Sequence, residues 1–220
     1  MIQKSSEALS RRAFLGMAGA ATGIMVLASS CDKNDDNMMN NGVDLGSGDV
    51  GILNYAYALE QLEAAFYTRV AQSPYNGISA SENALLTDIR DHEIAHREFF
   101  KSALAGAAIS NLEFDFSAID FGSRASVLAT AKAFEDLGVS AYNGAGKLIV
   151  TPDYLTLAGK IVSVEARHAA YIRDLISNGS FADNTVVDMN GLDTSRMPVD
   201  VLAVAAGFIK TKINASNLPR

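Results

Sequence analysis

One spacing occurs twice in this 220-residue chain and limits what it can fold into. Ala56-x-Ala58-Leu59-Glu60-x-Leu62-x-x-x-x-Tyr67 returns as Ala131-x-Ala133-Phe134-Glu135-x-Leu137-x-x-x-x-Tyr142. Glu93-x-x-His96-x-x-Phe99 returns as Glu165-x-x-His168-x-x-Tyr171. The chain reads as one helix pair used twice, and such a repeat predicts a pseudo-twofold axis with the shared residues meeting near it.

The apolar pattern supports helices at each of these places. Ile52, Tyr55, Leu59, Leu62, Phe66 and Val70 recur at three- and four-residue steps, which is helical spacing. A break at Ser73-Pro74-Tyr75-Asn76-Gly77 ends this first helix. The second is expected to start near Ser79 or Ser81, where Ser79-x-x-Glu82 can form a capping box. Ser123 is placed to cap the third, which should stop at Gly144 or Gly146. Thr151-Pro152-Asp153 offers the fourth a cap, a proline in its first turn and an acidic residue at its positive end. A shorter fifth helix begins near Pro198 and continues towards Phe208. Between the second and third helices Phe114, Phe116, Ile119 and Phe121 alternate, so this long connection is expected to lie extended on the bundle surface.

Glu and His three residues apart lie about 60° from each other on a helix, so both can reach one ion. His96 and His168 fall near the middle of their apolar faces, with no Lys or Arg on those inner faces to pair with the glutamates. An unpaired buried charge costs several kcal/mol. Glu60, Glu93, Glu135 and Glu165 carry four negative charges, which two divalent cations balance. Mixed carboxylate and imidazole donors suit iron, manganese or zinc better than calcium or magnesium.

Glu, then Glu-x-x-His, then Glu, then Glu-x-x-His on successive helices resembles the di-metal pattern of the ferritin-like superfamily. Leu59-Glu60-x-Leu62-Glu63-Ala64-Ala65-Phe66-Tyr67 and Val164-Glu165-Ala166-Arg167-His168 are similar to the branch of exported bacterial proteins that also includes plant desiccation-related proteins. The resemblance implies an all-α fold: an antiparallel four-helix bundle with a long crossover between helices two and three, plus a short fifth helix. It implies two iron or manganese ions, with Glu60 and His96 capping one and Glu135 and His168 the other. Glu93 and Glu165 would bridge, and Tyr67 and Tyr142 would hydrogen-bond to the ligands.

Two residues break the repeat. Glu63 points more squarely into the core than Glu60, but its counterpart is Gly138, so the repeat favours Glu60 as ligand and leaves Glu63 as an extra ligand or proton relay. His92 lies one turn before His96 with Val164 opposite, and reads as a group behind the ligands or facing solvent, with an extra ligand as the alternative. Arg97 and Arg167 are expected to point outward.

The ends speak of export. Residues 1–31 have a charged start, an apolar middle from Ala13 to Ala28, and small residues before a break. Arg11 and Arg12 followed by Phe14-Leu15 resemble a twin-arginine signal, although an ordinary secretory signal shares the charged start. Cys31, the single cysteine, follows Ser29-Ser30 as in a lipoprotein cleavage site, and would then anchor the chain by lipid. Leu27 lies one place upstream of the usual pattern, so plain cleavage nearby stays open. Residues 32–49 read as a disordered polar tether, 50–178 as the bundle, and 179–220 as a loop and short helix packed on it.

The whole chain carries a formal charge of −7. Without residues 1–31 it has 15 basic and 24 acidic residues, a balance of −9 that argues against nucleic acid. The expected location is the periplasm or cell envelope, with a homodimer as one assembly the chain could form. The expected function is redox chemistry with dioxygen or peroxide, or iron oxidation, with a small oxidant or a metal ion as substrate. The alternatives are a non-enzymatic protein of metal sequestration or envelope stress, and a scaffold with a vestigial site.

Overall fold

The computed structural model describes residues 42–220. Arg11, Arg12, Cys31 and residues 32–41 of the expected tether lie outside the described residues. Among the described residues are five α-helices: α1 (Gly48–Gln72), α2 (Ala80–Leu104), α3 (Arg124–Gly146), α4 (Pro152–Ile176) and the short α5 (Pro198–Ala205). Two short strands, β1 (Val43–Asp44) and β2 (Ile213–Asn214), pair in parallel. α1 packs on α2 and α3 on α4, so the repeat of the sequence is a pair of helical hairpins.

The helix starts are set by local chemistry. Ser79 Oγ accepts from the Glu82 amide at 3.1 Å, and Ser123 Oγ accepts from Ser126 N at 3.4 Å. Glu82 turns its carboxylate back to the Ser79 backbone, as a capping box requires, and also takes Arg124 and the Tyr75 hydroxyl. Thr151 occupies the N-cap of α4 but makes no side-chain cap. Asp49, in the first turn of α1, accepts from the amides of Val150 and Thr151 at 2.8 and 2.9 Å. The cap expected of Thr151 is thereby replaced by a tie between the two hairpins.

Every residue of α1 from Gly51 to Ala64 is buried. A helix apolar all round must be covered all round, and the crossover covers this one. It climbs the length of α1. Asn54 Oδ1 accepts from Ile109 N, Gln61 Oε1 accepts from Leu112 N, and Asn76 N donates to Gly122 O. Phe116 and Phe121 lie 6.1 and 6.0 Å from the Phe66 ring, and Ile119 is buried. The alternating aromatics of the crossover are thus the lid on the outer face of α1.

The C-terminal segment covers α3 in the same manner. Val201 and Ala205 of α5 are fully buried, and Phe208 meets Phe134 edge-on at 4.8 Å. Arg196 N donates to Ser140 O at 2.9 Å. A Cβ on Gly144 would lie 1.7 Å from Arg196 O, so only glycine lets this segment cross α3.

Residues 43–49, expected as part of the tether, belong to the fold. Val43–Asp44 is strand, paired with Ile213–Asn214, and Leu45 is fully buried. Its partner lies some 170 residues away in sequence; a two-residue strand carries no periodicity to announce it.

Asn54 is the joint of this arrangement. Its Nδ2 donates to Leu45 O and Ala107 O while its Oδ1 accepts from Ile109 N. Asn54→Ala leaves buried backbone groups unpaired, at about 1–3 kcal/mol for such a group. Urea unfolding is expected to show a lower midpoint by that order, where an exposed Asn would show almost none.

Candidate metal centre

Four helices each bring their part of the repeat to one level of the bundle. α1 supplies Glu60, α2 Glu93 and His96, α3 Glu135, and α4 Glu165 and His168. All four glutamates are fully buried, and the two imidazoles are 13% and 5% exposed. His96 Nδ1 lies 2.8 Å from Glu165, 3.5 Å from Glu60 and 3.7 Å from Glu93. His168 Nδ1 lies 2.8 Å from Glu93, 3.5 Å from Glu135 and 3.7 Å from Glu165. The two sets match term by term, as a twofold requires.

Two four-residue groups result, Glu60-Glu93-His96-Glu165 and Glu93-Glu135-Glu165-His168. Within each, one ligand atom per residue lies within 4.8 Å of the others. Glu93 and Glu165 belong to both. The contacts are short, yet their directions are not those of hydrogen bonds: both Nδ1 atoms and six of the eight carboxylate oxygens have no hydrogen-bond partner. The atoms face a common centre rather than one another. Buried polar atoms are normally paired, so donors of this kind, converging in this way, fit divalent cations.

The two remaining oxygens are held by tyrosines. Tyr67 of α1 donates to Glu135 Oε1 at 2.6 Å, and Tyr142 of α3 donates to Glu60 Oε1. Each tyrosine thus serves the glutamate of the other hairpin and leaves that carboxylate's second oxygen turned inward. Burial and the neighbouring carboxylates push both phenols well above their ordinary range, so they stay neutral donors.

Glu63 is buried but stands in neither group. It occupies the space that Gly138 leaves: a Cβ there would lie 3.0 Å from Glu63 Oε1. A narrow pocket lined by Leu59, Leu62, Phe134, Leu137 and Gly138 reaches its carboxyl. Burial, then the charges of Glu93, Glu165, Glu135 and Glu60, push Glu63 well above the carboxylate range.

His92 is exposed at the edge of the centre. Its Nδ1 lies 2.9 Å from Nε2 of His168, the nitrogen turned away from the carboxylates. Arg97 pairs with the adjacent Glu98, and Arg167 donates back to Ser163 O. The sequence reading overlooked Arg173, which is buried on α4 and bound to Asp136, Asp183 and Thr185. Asp136 follows Glu135 directly, but only the fold shows that the two charges meet.

With this geometry in view, comparison with known families is informative. The ferritin-like domain family matches residues 48–178, well over half of the chain, and the protein belongs to that family. No curated protein matches the chain. Family and site agree on a ferritin-like protein with buried carboxylate and histidine groups that could hold a metal.

The metal-free centre has a defined response to pH. Burial alone would lower both histidines, but the carboxylates around them outweigh it and carry each up to about 12. Burial raises Glu135 to about 7 against the pull of His168 and Tyr67. Burial would also raise Glu165, but the two imidazoles bring it down to about 2. Histidines raised on folding stabilise fully below their unfolded value of 6.5 and lose that contribution as pH climbs towards 12. The Glu135 contribution, by the same sign, is lost between 4.5 and about 7. Glu165 acts in reverse, stabilising above 4.5 and losing this as pH falls towards 2. The melting temperature of metal-stripped protein is therefore expected to fall from about pH 5 to about pH 9. His96→Gln and His168→Gln should each flatten that decline.

Proposed function

We propose that the chain is an exported di-metal protein that exchanges electrons with a small oxidant, dioxygen or peroxide, or oxidises ferrous iron. One observation carries this reading: Glu93 and Glu165 are shared between two otherwise separate groups of ligand atoms, the arrangement that lets carboxylates bridge two ions. Glu60 and His96 would hold one ion, Glu135 and His168 the other. Two iron or manganese ions held so close supply a two-electron centre.

The chain's own residues then do the rest. Tyr67 and Tyr142 fix the terminal carboxylates, so neither rotates away when an oxidant arrives. Glu63, in the room that Gly138 leaves, keeps a proton beside the ligand carboxylates and could pass it to a substrate bound there. Leu59, Leu62, Phe134 and Leu137 surround Glu63 with apolar side chains.

Export by a twin-arginine-type signal fits the same reading, because that route accepts folded protein and so permits loading with metal before translocation. Anchoring through Cys31 would keep the bundle at the envelope. No helix among the described residues is long and apolar enough to cross a membrane. Replacing Arg11 and Arg12 by lysines is expected to hold the protein inside the cell. Normal secretion of that variant would point to the general pathway.

Metal and stability test the centre itself. Divalent ions that bind only the folded state should stabilise it, by about 2.7 kcal/mol at a hundredfold excess over the dissociation constant. Glu93→Ala and Glu165→Ala each remove a shared ligand, and the ferrous or manganous gain in melting temperature should largely vanish in both. An undiminished gain in both would mean that metal binds elsewhere. Turnover of peroxide or ferrous iron by the loaded wild type decides for catalysis. Tight binding without turnover decides for sequestration, and a wild type indifferent to metal for a scaffold.

A further inference from the structure

The six ligand positions obey the twofold, but what lies behind the two histidines does not. His92 of α2 reaches across to His168 of α4, with Nδ1 and Nε2 2.9 Å apart. The rings are inclined by only 8°, with centroids 5.1 Å apart. The N···N contact plus the radius of a ring at each end accounts for that centroid separation. The rings therefore lie end to end in nearly one plane, and the hydrogen bond runs along the lone-pair direction of His92. Rings stacked face over face could not bring two nitrogens so close without a clash. The twofold places Val164, four residues before His168, at the position corresponding to His92, and a valine side chain accepts nothing.

We infer that His92 makes the two halves of the centre unequal, so that the half containing Glu135 and His168 takes the first divalent ion. This rests on the di-metal reading above and adds an order of filling to it. His168 can offer Nδ1 to an ion only while its remaining proton sits on Nε2. The Nε2–H donates to Nδ1 of His92, and that bond holds both the tautomer and the ring plane. Groups that fix a ligand imidazole from behind typically govern affinity by 10–100-fold. His96 gains no such partner from Val164, so its half fills second. His92 is a positioning residue here: it is exposed and can be altered without opening the core.

The test uses manganous ion titrated calorimetrically into the metal-stripped full chain, with anomalous diffraction at one equivalent. Wild type is expected to bind in two steps, the first at least about tenfold tighter, with the first ion beside His168. His92→Val should weaken the first step by about 10–100-fold and leave the second nearly unchanged. His92→Gln, which still offers an acceptor at that place, should recover most of the difference; Val164→His should tighten the second step. A two-step isotherm unaltered in His92→Val, an equal loss in both steps, or a first ion beside His96 would overturn the inference while leaving the di-metal reading intact. Absence of any binding by wild type would overturn both.

Discussion

Everything in this bundle answers to one electrostatic constraint: four glutamates and two histidines share a buried centre with no lysine or arginine among them. Such a group cannot remain fully ionised and unpaired. Without metal the balance is struck with protons. Both imidazoles hold theirs, drawn up by the carboxylates around them, and Glu165 stays ionised between them. Glu63 and Glu93 are driven by burial to keep a proton far above the carboxylate range. Divalent ions would replace that arrangement by supplying positive charge where the unpartnered oxygens already converge. Arg173, buried on α4, offers no relief, being engaged with Asp136, Asp183 and Thr185.

Burying the centre requires more than two helical hairpins. The outer face of α1 is as apolar as its inner face, and the crossover lies along it from Ile109 to Gly122. Buried Asn54 and Gln61 supply the hydrogen bonds that an extended backbone needs when it lies on a helix. On the other side α5 and Phe208 cover α3 near Phe134, one residue before Glu135. The parallel pairing of β1 with β2 ties the start of α1 to the end of the chain. Elements far from the ligands thus determine the medium in which the ligands sit.

The helices, their order and the convergence of the repeated residues could be read in advance because each depends on local spacing. Three-residue steps between Glu and His survive any packing detail, and Ser79 and Ser123 cap within one turn. What escaped notice depends on encounters between distant segments. Val43–Asp44 finds a partner only once residues 213–214 arrive, and Asp49 displaces the expected role of the Thr151 side chain only because the two hairpins meet there. Arg173 and Asp136 sit on different helices. The choice between Glu60 and Glu63 turned on Gly138, and the structure gives the physical reason: the missing side chain is the room that Glu63 fills.

That exchange of Glu63 for Gly138 and of His92 for Val164 follows a pattern. Both polar members of these mismatched pairs belong to the first hairpin, and both act on the second: Glu63 leans into the space beside α3, and His92 binds the ligand of α4. A perfectly doubled site would offer two identical ions identical surroundings. With His92 behind His168, the half containing Glu135 would hold an ion more firmly than the half containing Glu60. The departures from symmetry lie next to the ligands rather than among them, so the charge balance that permits burial is preserved while the two halves are made to differ.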